Sequence, residues 1–161
     1  MQEVQGIYPF LEQAKKIVIT THQKPDGDAM GSSLALMHFL KSHGHKTSVI
    51  SPTNWAGFLN WMPGCNEVTD FEKKTDTSKL LVAEADILFC LDFNTMHRTK
   101  NLENILTGAN CIKVLIDHHQ QPQAEAFDYG VSDVNKSSTC EMVYDFIMAS
   151  PWANNLNLEM A

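Results

Sequence analysis

The chain has 161 residues, of which 43% are hydrophobic, and its formal net charge is -7. This length suffices for one domain with a sizeable core, and the acidic balance disfavours partners held by backbone electrostatics alone, such as long duplex nucleic acid or an anionic membrane surface. The N-terminal residues lack the apolar core of a secretory signal, and no run is long enough to span a bilayer, so we expect a cytoplasmic protein with no membrane partner. The 4 cysteines form no C-x-x-C pair, which argues against a structural zinc site or a disulfide framework.

Helical and strand patterns alternate along the chain. Continuous apolar strands separated by helices indicate an α/β fold, with a mostly parallel sheet covered by helices on both faces. In chain order we predict a helix at residues 4–15, a strand at 16–21, a helix at 29–42, a strand at 46–51, a helix at 75–85, a strand at 86–91, a helix at 102–107, a strand at 111–116, a weaker strand at 126–132 and a helix at 138–149.

Two local features refine this pattern. Residues 51–70 are irregular, with one helical turn near residues 55–62 whose aromatic side chains we expect to lie in the core. These side chains are Trp55, Phe58 and Trp61. The last helix is predicted to begin with a capping box formed by Ser138 and Glu141.

The stretch IVITTHQKPDGDAMGSS, residues 17–33, places three potential metal ligands at the tip of the first strand: His22, Asp26 and Asp28. Two carboxylates so close together repel each other, and confining them costs stability unless a cation neutralises them, so their pairing with a histidine indicates a divalent metal site. The alternative is a solvated turn in which Asp28 caps the following helix, and for this stretch alone the turn is the favoured interpretation.

Two further strand tips carry the same kinds of side chain. The third predicted strand ends directly in Asp92, and the fourth ends in Asp117, His118 and His119. Because the carboxyl ends of parallel strands lie along one edge, where ligands bind, we expect the three tips to form one cluster. Carboxylate and imidazole ligands without a thiolate are compatible with manganese, iron, cobalt, zinc or magnesium.

Four motifs follow one another over most of the chain. They are THQKPDGDAMGSSLAL at residues 21–36, LDFNTMHR at 91–98, LIDHHQQP at 115–122 and SSTCEMVYDFI at 137–147. In this order they resemble the DHH phosphoesterase superfamily, named for its Asp-His-His triplet. Within it, the sequence is most similar to the bacterial nanoRNA and pAp phosphatases, in which a DHH domain precedes a DHHA1 domain.

The resemblance implies a pair of manganese ions as cofactors. Transferred position by position, it assigns His22 and Asp26 to one metal, assigns Asp28 and His118 to the other, and makes Asp92 the bridge between them.

The resemblance also implies roles around the metals. His119 would face the scissile phosphate as a phosphate-binding or proton-donating group, and Asp117 would orient the histidines. Arg98 would contact phosphate, although a surface arginine of the following helix explains it equally well. Ser32, beside Gly31, would lie where the helix N-terminus approaches the substrate.

The implied activity is hydrolysis of short RNA oligonucleotides (nanoRNA) to nucleoside monophosphates, with dephosphorylation of pAp as a second activity. In this family a later aspartate completes one metal site and a DHHA1 domain grips the substrate. Neither is present here, and residues 154–161 resemble the start of the helix that leads to that aspartate's strand. We therefore expect residues 1–161 to be a truncated DHH domain with weak activity or none.

Alternatives within the superfamily would share these ligands. They are a cyclic-dinucleotide or linear dinucleotide phosphodiesterase, a RecJ-like exonuclease and a manganese pyrophosphatase. From a different class, the chain could be a non-catalytic nucleotide- or metal-binding module. The sequence leaves the native metal and the oligomeric state open, with a homodimer among the options.

Overall fold

The computed structural model describes residues 1–155 and residue 160. Most of the helix start predicted at residues 154–161 therefore lies outside the described residues. Within the described residues, a short 3-10 helix spans Ala153–Asn155.

Seven strands of the described residues form a single sheet in which every pair is parallel. Their order across the sheet is β1-β7-β6-β5-β2-β3-β4. The α/β prediction with a parallel sheet is thereby confirmed. The strands are β1 Gln2–Glu3, β2 Lys16–Thr20, β3 Lys46–Ser51, β4 Thr69–Asp70, β5 Ile87–Leu91, β6 Ile112–Asp117 and β7 Tyr129–Ser132.

Helices cover both faces of this sheet. The α-helices of the described residues are α1 Gly27–Ser42, α2 Thr75–Ala83, α3 Glu103–Thr107 and α4 Thr139–Met148. One buried cluster joins alternate strand residues to α1 and α4, and a second cluster joins the other strand residues to α2 and α3. All five residues of β5 are buried, as a central parallel strand requires. No helix in the described part of the chain is long and apolar enough to cross a membrane.

The N-terminal segment differs from the prediction. Instead of an α-helix over residues 4–15, a 3-10 helix spans Val4–Leu11 and contains Pro9. Proline inside an α-helix removes a backbone donor and clashes with the carbonyl four residues earlier, so the tighter helix forms here. The preceding residues form β1, which pairs with β7.

The aromatic patch at residues 55–62 is only partly core, and the prediction was wrong for two of its three side chains. Trp55 packs against the cluster that contains α1. Phe58 and Trp61 are each 76% exposed. The intervening Leu59 is buried in their place, because a single 3-10 turn, Gly57–Leu59, can direct only part of its surface inward.

Candidate active site

The loop between β2 and α1 holds His22 and Asp26. His22 is 8% exposed, and its Nδ1 lies 2.7 Å from the Gln23 carbonyl oxygen. A carbonyl can only accept, so Nδ1 carries the proton and Nε2 presents its lone pair to the cluster. Asp26 is the N-cap of α1, because its Oδ1 accepts the backbone N–H groups of Asp28 and Ala29.

Asp28 caps a different helix from the one that the turn interpretation assigned to it. Its Oδ2 accepts the Thr139 N–H and its Oδ1 accepts the Cys140 N–H, both at 2.8 Å. These donors are the first backbone amides of α4. The carboxylate is thus placed in the positive field of a helix N-terminus that belongs to the far end of the sequence.

Asp92, at the tip of β5, is the buried centre of the cluster. It is 2% exposed and has a φ of 63°, in the left-handed region that aspartate tolerates better than most residues. Its Oδ2 lies 3.5 Å from His22 Nε2, and its Oδ1 lies 3.5 Å from His118 Nε2 and 3.8 Å from His119 Nδ1. The Thr139 hydroxyl donates to Oδ1 at 3.0 Å.

The Asp117-His118-His119 triplet ends β6. Asp117 is fully buried, and its Oδ1 accepts a 2.7 Å hydrogen bond from His119 Nδ1. This bond leaves Nε2 of His119 as the unprotonated ring atom. Nδ1 of His118 lies 3.4 Å from the Lys136 carbonyl oxygen, which turns its Nε2 toward Asp92 and Asp28.

Among the described residues, two groups of side chains could each hold a metal ion, and both contain Asp92. One group is Asp92, His118 and His119, and the other is His22, Asp26 and Asp92; within each, the ligand atoms lie within 4.8 Å of one another. The two oxygens of Asp92 face opposite groups, since Oδ2 is nearest His22 and Oδ1 is nearest His118. Asp28 belongs to neither group, but its Oδ2 lies 3.7 Å from His118 Nε2.

Burial and contacts with neighbouring groups have opposite effects on the pKa values of His22 and Asp92. Burial lowers the pKa of His22, but its interactions with the Asp92 carboxylate and with the Gln23 carbonyl together outweigh burial and raise the pKa above its usual value. Burial raises the pKa of Asp92, but the interaction with His22 and the hydrogen bond from the Thr139 hydroxyl together outweigh burial and lower the pKa. Asp92 is therefore held as a carboxylate although its own side chain is almost completely buried.

The residues present fit a divalent cation. The ion pairs of Asp92 among the described residues are all with histidines, so no lysine or arginine neutralises this buried carboxylate. Asp117 adds a buried Oδ2 that has no hydrogen-bond partner in the described part of the chain. Imidazole nitrogens oriented by carbonyls, together with several carboxylates, form a typical donor set for Mn²⁺, Fe²⁺, Co²⁺ or Zn²⁺.

The two predicted substrate residues lie in different surroundings. Arg98 is half-buried beside the loop that follows β2, where its carbonyl accepts the Gln23 N–H and its charge acts to lower the pKa of His22. Ser32 is fully buried, and its hydroxyl donates to the Asp28 and Ala29 carbonyls within α1. The structure thus brings Arg98 to the cluster and leaves the Ser32 hydroxyl inside the helix.

Thr139 is the residue of the cluster that the sequence did not single out. It lies within the fourth motif, where the capping pattern of Ser138 and Glu141 accounted for the local spacing. Its partner Asp92 is 47 positions away, so no local signal reveals the contact. Only the placement of α4 over the strand tips brings the two residues together.

A family model described as "DHH family, N-terminal domain" matches residues 16–161. The chain belongs to the DHH family. The match includes every strand tip described above and thus confirms the resemblance that the motifs indicated.

Two curated relatives of this DHH chain share one name, "Bifunctional oligoribonuclease and PAP phosphatase NrnA". The protein from Mycoplasma genitalium is 26% identical over 147 residues, which are 88% of this chain and 42% of the relative. The protein from Thermus thermophilus is 33% identical over 132 residues, or 81% of this chain and 36% of the relative. The DHH chain therefore spans less than half the length of either relative.

Solved structures show the same fold. An exopolyphosphatase-related protein from Bacteroides fragilis is 35% identical and superposes with a TM-score of 0.94, covering 98% of the DHH chain and 46% of that protein. RecJ from Thermus thermophilus in complex with Mn²⁺ is 12% identical, with a TM-score of 0.51 over 92% of the DHH chain and 21% of RecJ. At this identity the RecJ likeness is one of fold alone.

Proposed function

We propose that this chain is the metal-holding domain of a phosphoesterase that hydrolyses very short RNA oligonucleotides to nucleoside monophosphates and dephosphorylates pAp. The observation that carries this proposal is Asp92, whose two oxygens face two separate groups of metal-competent side chains. The names of the two curated relatives support the choice of substrates.

The proposed ligands divide between two manganese ions. His22 and Asp26 would hold one ion, Asp28 and His118 the other, and Asp92 would belong to both. Such a pair of cations supplies positive charge that lowers the pKa of water and neutralises phosphoryl oxygens. The protein contributes the orientation, since the backbone carbonyls of Gln23 and Lys136 fix the rings of His22 and His118.

His119 is proposed to act on the substrate. Its Nδ1–H is held by the buried Asp117 carboxylate, so the ring stands in one orientation with Nε2 available. In its imidazolium form, whose positive charge the Asp117 carboxylate stabilises, His119 could pass the Nε2 proton to the leaving oxygen of the ribose and return to the neutral imidazole with its Nδ1–H still on Asp117. Asp117 touches His119 and not the substrate, so its proposed role is to position that ring.

Arg98 is proposed to bind a phosphate of the substrate. Its guanidinium is the cationic group whose charge reaches His22, and arginine matches phosphate geometry with two parallel donors. Ser32 was predicted as a second contact. Because its hydroxyl already donates within α1, we propose that it supports the first turn of that helix.

We further propose that this DHH domain works as part of a longer cytoplasmic enzyme, in which a DHHA1 domain grips the oligonucleotide. The support is that the chain spans only 42% and 36% of its curated relatives. The chain carries a formal net charge of -7, so a short substrate bound at the cations suits it better than a long strand bound along a basic channel.

The test is hydrolysis of an RNA dinucleotide and of pAp with added Mn²⁺, assayed with this chain and with the longer protein proposed to contain it. Asp92→Asn removes the central carboxylate charge at one end of β5. Asp86→Asn is the matched control, because Asp86 is exposed at the other end of the same strand.

We expect manganese-dependent turnover in the longer protein, reduced by at least about 10²-fold in Asp92→Asn and unchanged in Asp86→Asn. The proposal is contradicted if the longer protein binds Mn²⁺ but cleaves neither substrate, which would leave a metal-binding module or a different substrate class.

A further inference from the structure

The first turn of α4 contacts two of the proposed metal ligands at once. The Thr139 hydroxyl donates to Asp92 Oδ1 at 3.0 Å, and the Thr139 N–H donates to Asp28 Oδ2 at 2.8 Å. The Cys140 N–H donates to the second oxygen of Asp28. One residue, Thr139, therefore bridges two carboxylates that arrive from different strand tips.

This contact depends on a close approach of α4 to α1. Thr139 is fully buried, and a Cβ added to Gly31 would lie 3.1 Å from the Cys140 sulfur. The missing side chain of Gly31 lets the first turn of α4 pack directly against the first turn of α1. The donors of Thr139 are consequently fixed by packing and not by a flexible loop.

The Thr139 hydroxyl is not needed to begin the helix. Ser138 is the N-cap of α4, and its Oγ accepts the Glu141 N–H at 3.1 Å. Ser137 and Glu141 close a further pair of hydrogen bonds beside it. With these end groups satisfied, the Thr139 hydroxyl is free to point away from its own helix and toward Asp92.

The Asp92 carboxylate needs an external anchor. Its backbone is in a left-handed conformation, and its nearest side chains besides Thr139 are histidines at 3.5 Å or more. At those distances the imidazoles make no close hydrogen bond, so rotation of the carboxylate plane is restrained chiefly by the 3.0 Å bond from Thr139. That plane decides which lone pair faces each metal group.

We propose that Thr139 is a positioning residue for the metal centre. Its hydroxyl sets the plane of the Asp92 carboxylate, and its N–H, with that of Cys140, sets the plane of Asp28. This inference rests on the proposed function, because it assumes that both aspartates hold metal.

The test compares three variants by calorimetric titration with Mn²⁺, at a temperature where circular dichroism shows each to be folded. Thr139→Val keeps the shape and removes the hydroxyl, whereas Thr139→Ser keeps the hydroxyl. Thr99→Val is the matched control, since Thr99 is also fully buried and its hydroxyl donates to the Met96 carbonyl, with no carboxylate involved.

We expect Thr139→Val to weaken Mn²⁺ binding about 10-fold or more, the range typical of groups that orient metal ligands. Thr139→Ser should stay within about 3-fold of the unmodified chain, and Thr99→Val should bind as the unmodified chain does. Rescue by serine is the readout that a purely structural role would not give.

Three outcomes overturn the inference. If Thr139→Val binds Mn²⁺ as tightly as the unmodified chain, the hydroxyl does not position the ligands, and the proposed function stands. If Thr139→Ser loses as much Mn²⁺ affinity as Thr139→Val, the loss comes from altered packing and not from the missing hydroxyl. The same holds if Thr139→Val does not fold and Thr139→Ser binds Mn²⁺ more weakly than the unmodified chain. If the unmodified chain binds no Mn²⁺, the proposed function fails first.

Discussion

At the scale of single residues, the acidic side chains near α4 are held by very different partners. Asp92 is buried among imidazoles, whereas Glu141 lies near the surface and accepts the Ser137 N–H at 2.9 Å and the Ser137 hydroxyl at 2.8 Å. Lys136 adds an ion pair to Glu141 at 3.1 Å. These bonds, the backbone one foremost, lower the pKa of Glu141 to about 2.

This lowered pKa predicts a pH dependence of stability. A carboxyl group whose pKa is lower in the folded than in the unfolded chain stabilises the fold above its unfolded pKa, which is about 4.3. That stabilisation disappears as the pH falls toward about 2. Glu141→Gln should therefore lower the melting temperature at pH 7, with a smaller effect near pH 3, and leave it nearly unchanged at or below about pH 2. Thermal denaturation of both proteins across this range measures the difference, and an equal difference at both ends would contradict the assignment.

At the scale of elements, the residues at the start of α4 both cap this helix and contact two of the proposed metal ligands. The capping box was predicted from Ser138 and Glu141, and the structure confirms its first half, with Ser138 Oγ accepting the Glu141 N–H. The second half differs, because the Glu141 carboxylate takes the N–H of Ser137 instead of that of Ser138. The extra acceptor for the α4 amides is Asp28, from the first turn of α1 on the same face of the sheet.

Removal of the N-cap side chain of α4 should lower the free energy of unfolding without changing the contacts among the proposed metal ligands. Ser138→Ala deletes the oxygen that accepts the Glu141 N–H and should lower the free energy of unfolding by about 1 kcal/mol. Ser138→Thr, which keeps a hydroxyl, should recover most of that loss. Urea denaturation gives both values, and an unchanged midpoint in Ser138→Ala would show that Asp28 alone is sufficient to cap α4.

The long apolar strands were predictable from the sequence because a central parallel strand is buried on both faces. The predicted strand at residues 46–51 coincides with Lys46–Ser51, and those at 86–91 and 111–116 agree within a residue at each end. The two-residue strands Gln2–Glu3 and Thr69–Asp70 were missed, since they are too short to show a period.

The sequence also predicted in part which residues of the candidate site lie close together. Because the carboxyl ends of parallel strands converge, the sequence correctly predicted that His22, Asp92 and His118 lie together. Nε2 of His22 and Nε2 of His118 each lie 3.5 Å from an oxygen of Asp92. It could not show that Asp28 caps α4, because that contact joins positions 111 and 112 residues apart. The metal and catalytic roles of these residues remain predictions.

At the scale of the whole molecule, stability comes from the two clusters on either face of the sheet and not from the exposed side chains of Phe58 and Trp61. Phe89 lies in a central strand and is fully buried, whereas Trp61 is 76% exposed. Phe89→Ala should cost about 3 to 5 kcal/mol in the free energy of unfolding, and Trp61→Ala should change it by less than about 0.5 kcal/mol. Chemical denaturation of the two variants compares them directly, and a large loss in Trp61→Ala would place that side chain in a folded contact.

We propose that one carboxylate, Asp92, serves both groups of metal-competent side chains. The most direct measurement is a Mn²⁺ titration of the chain and of Asp92→Asn, with Asp86→Asn as the control from the other end of β5. We predict two bound ions of unequal affinity in the unmodified chain and in Asp86→Asn, with both affinities weakened in Asp92→Asn. A single bound ion, or binding that Asp92→Asn leaves unchanged, would contradict the shared role of Asp92.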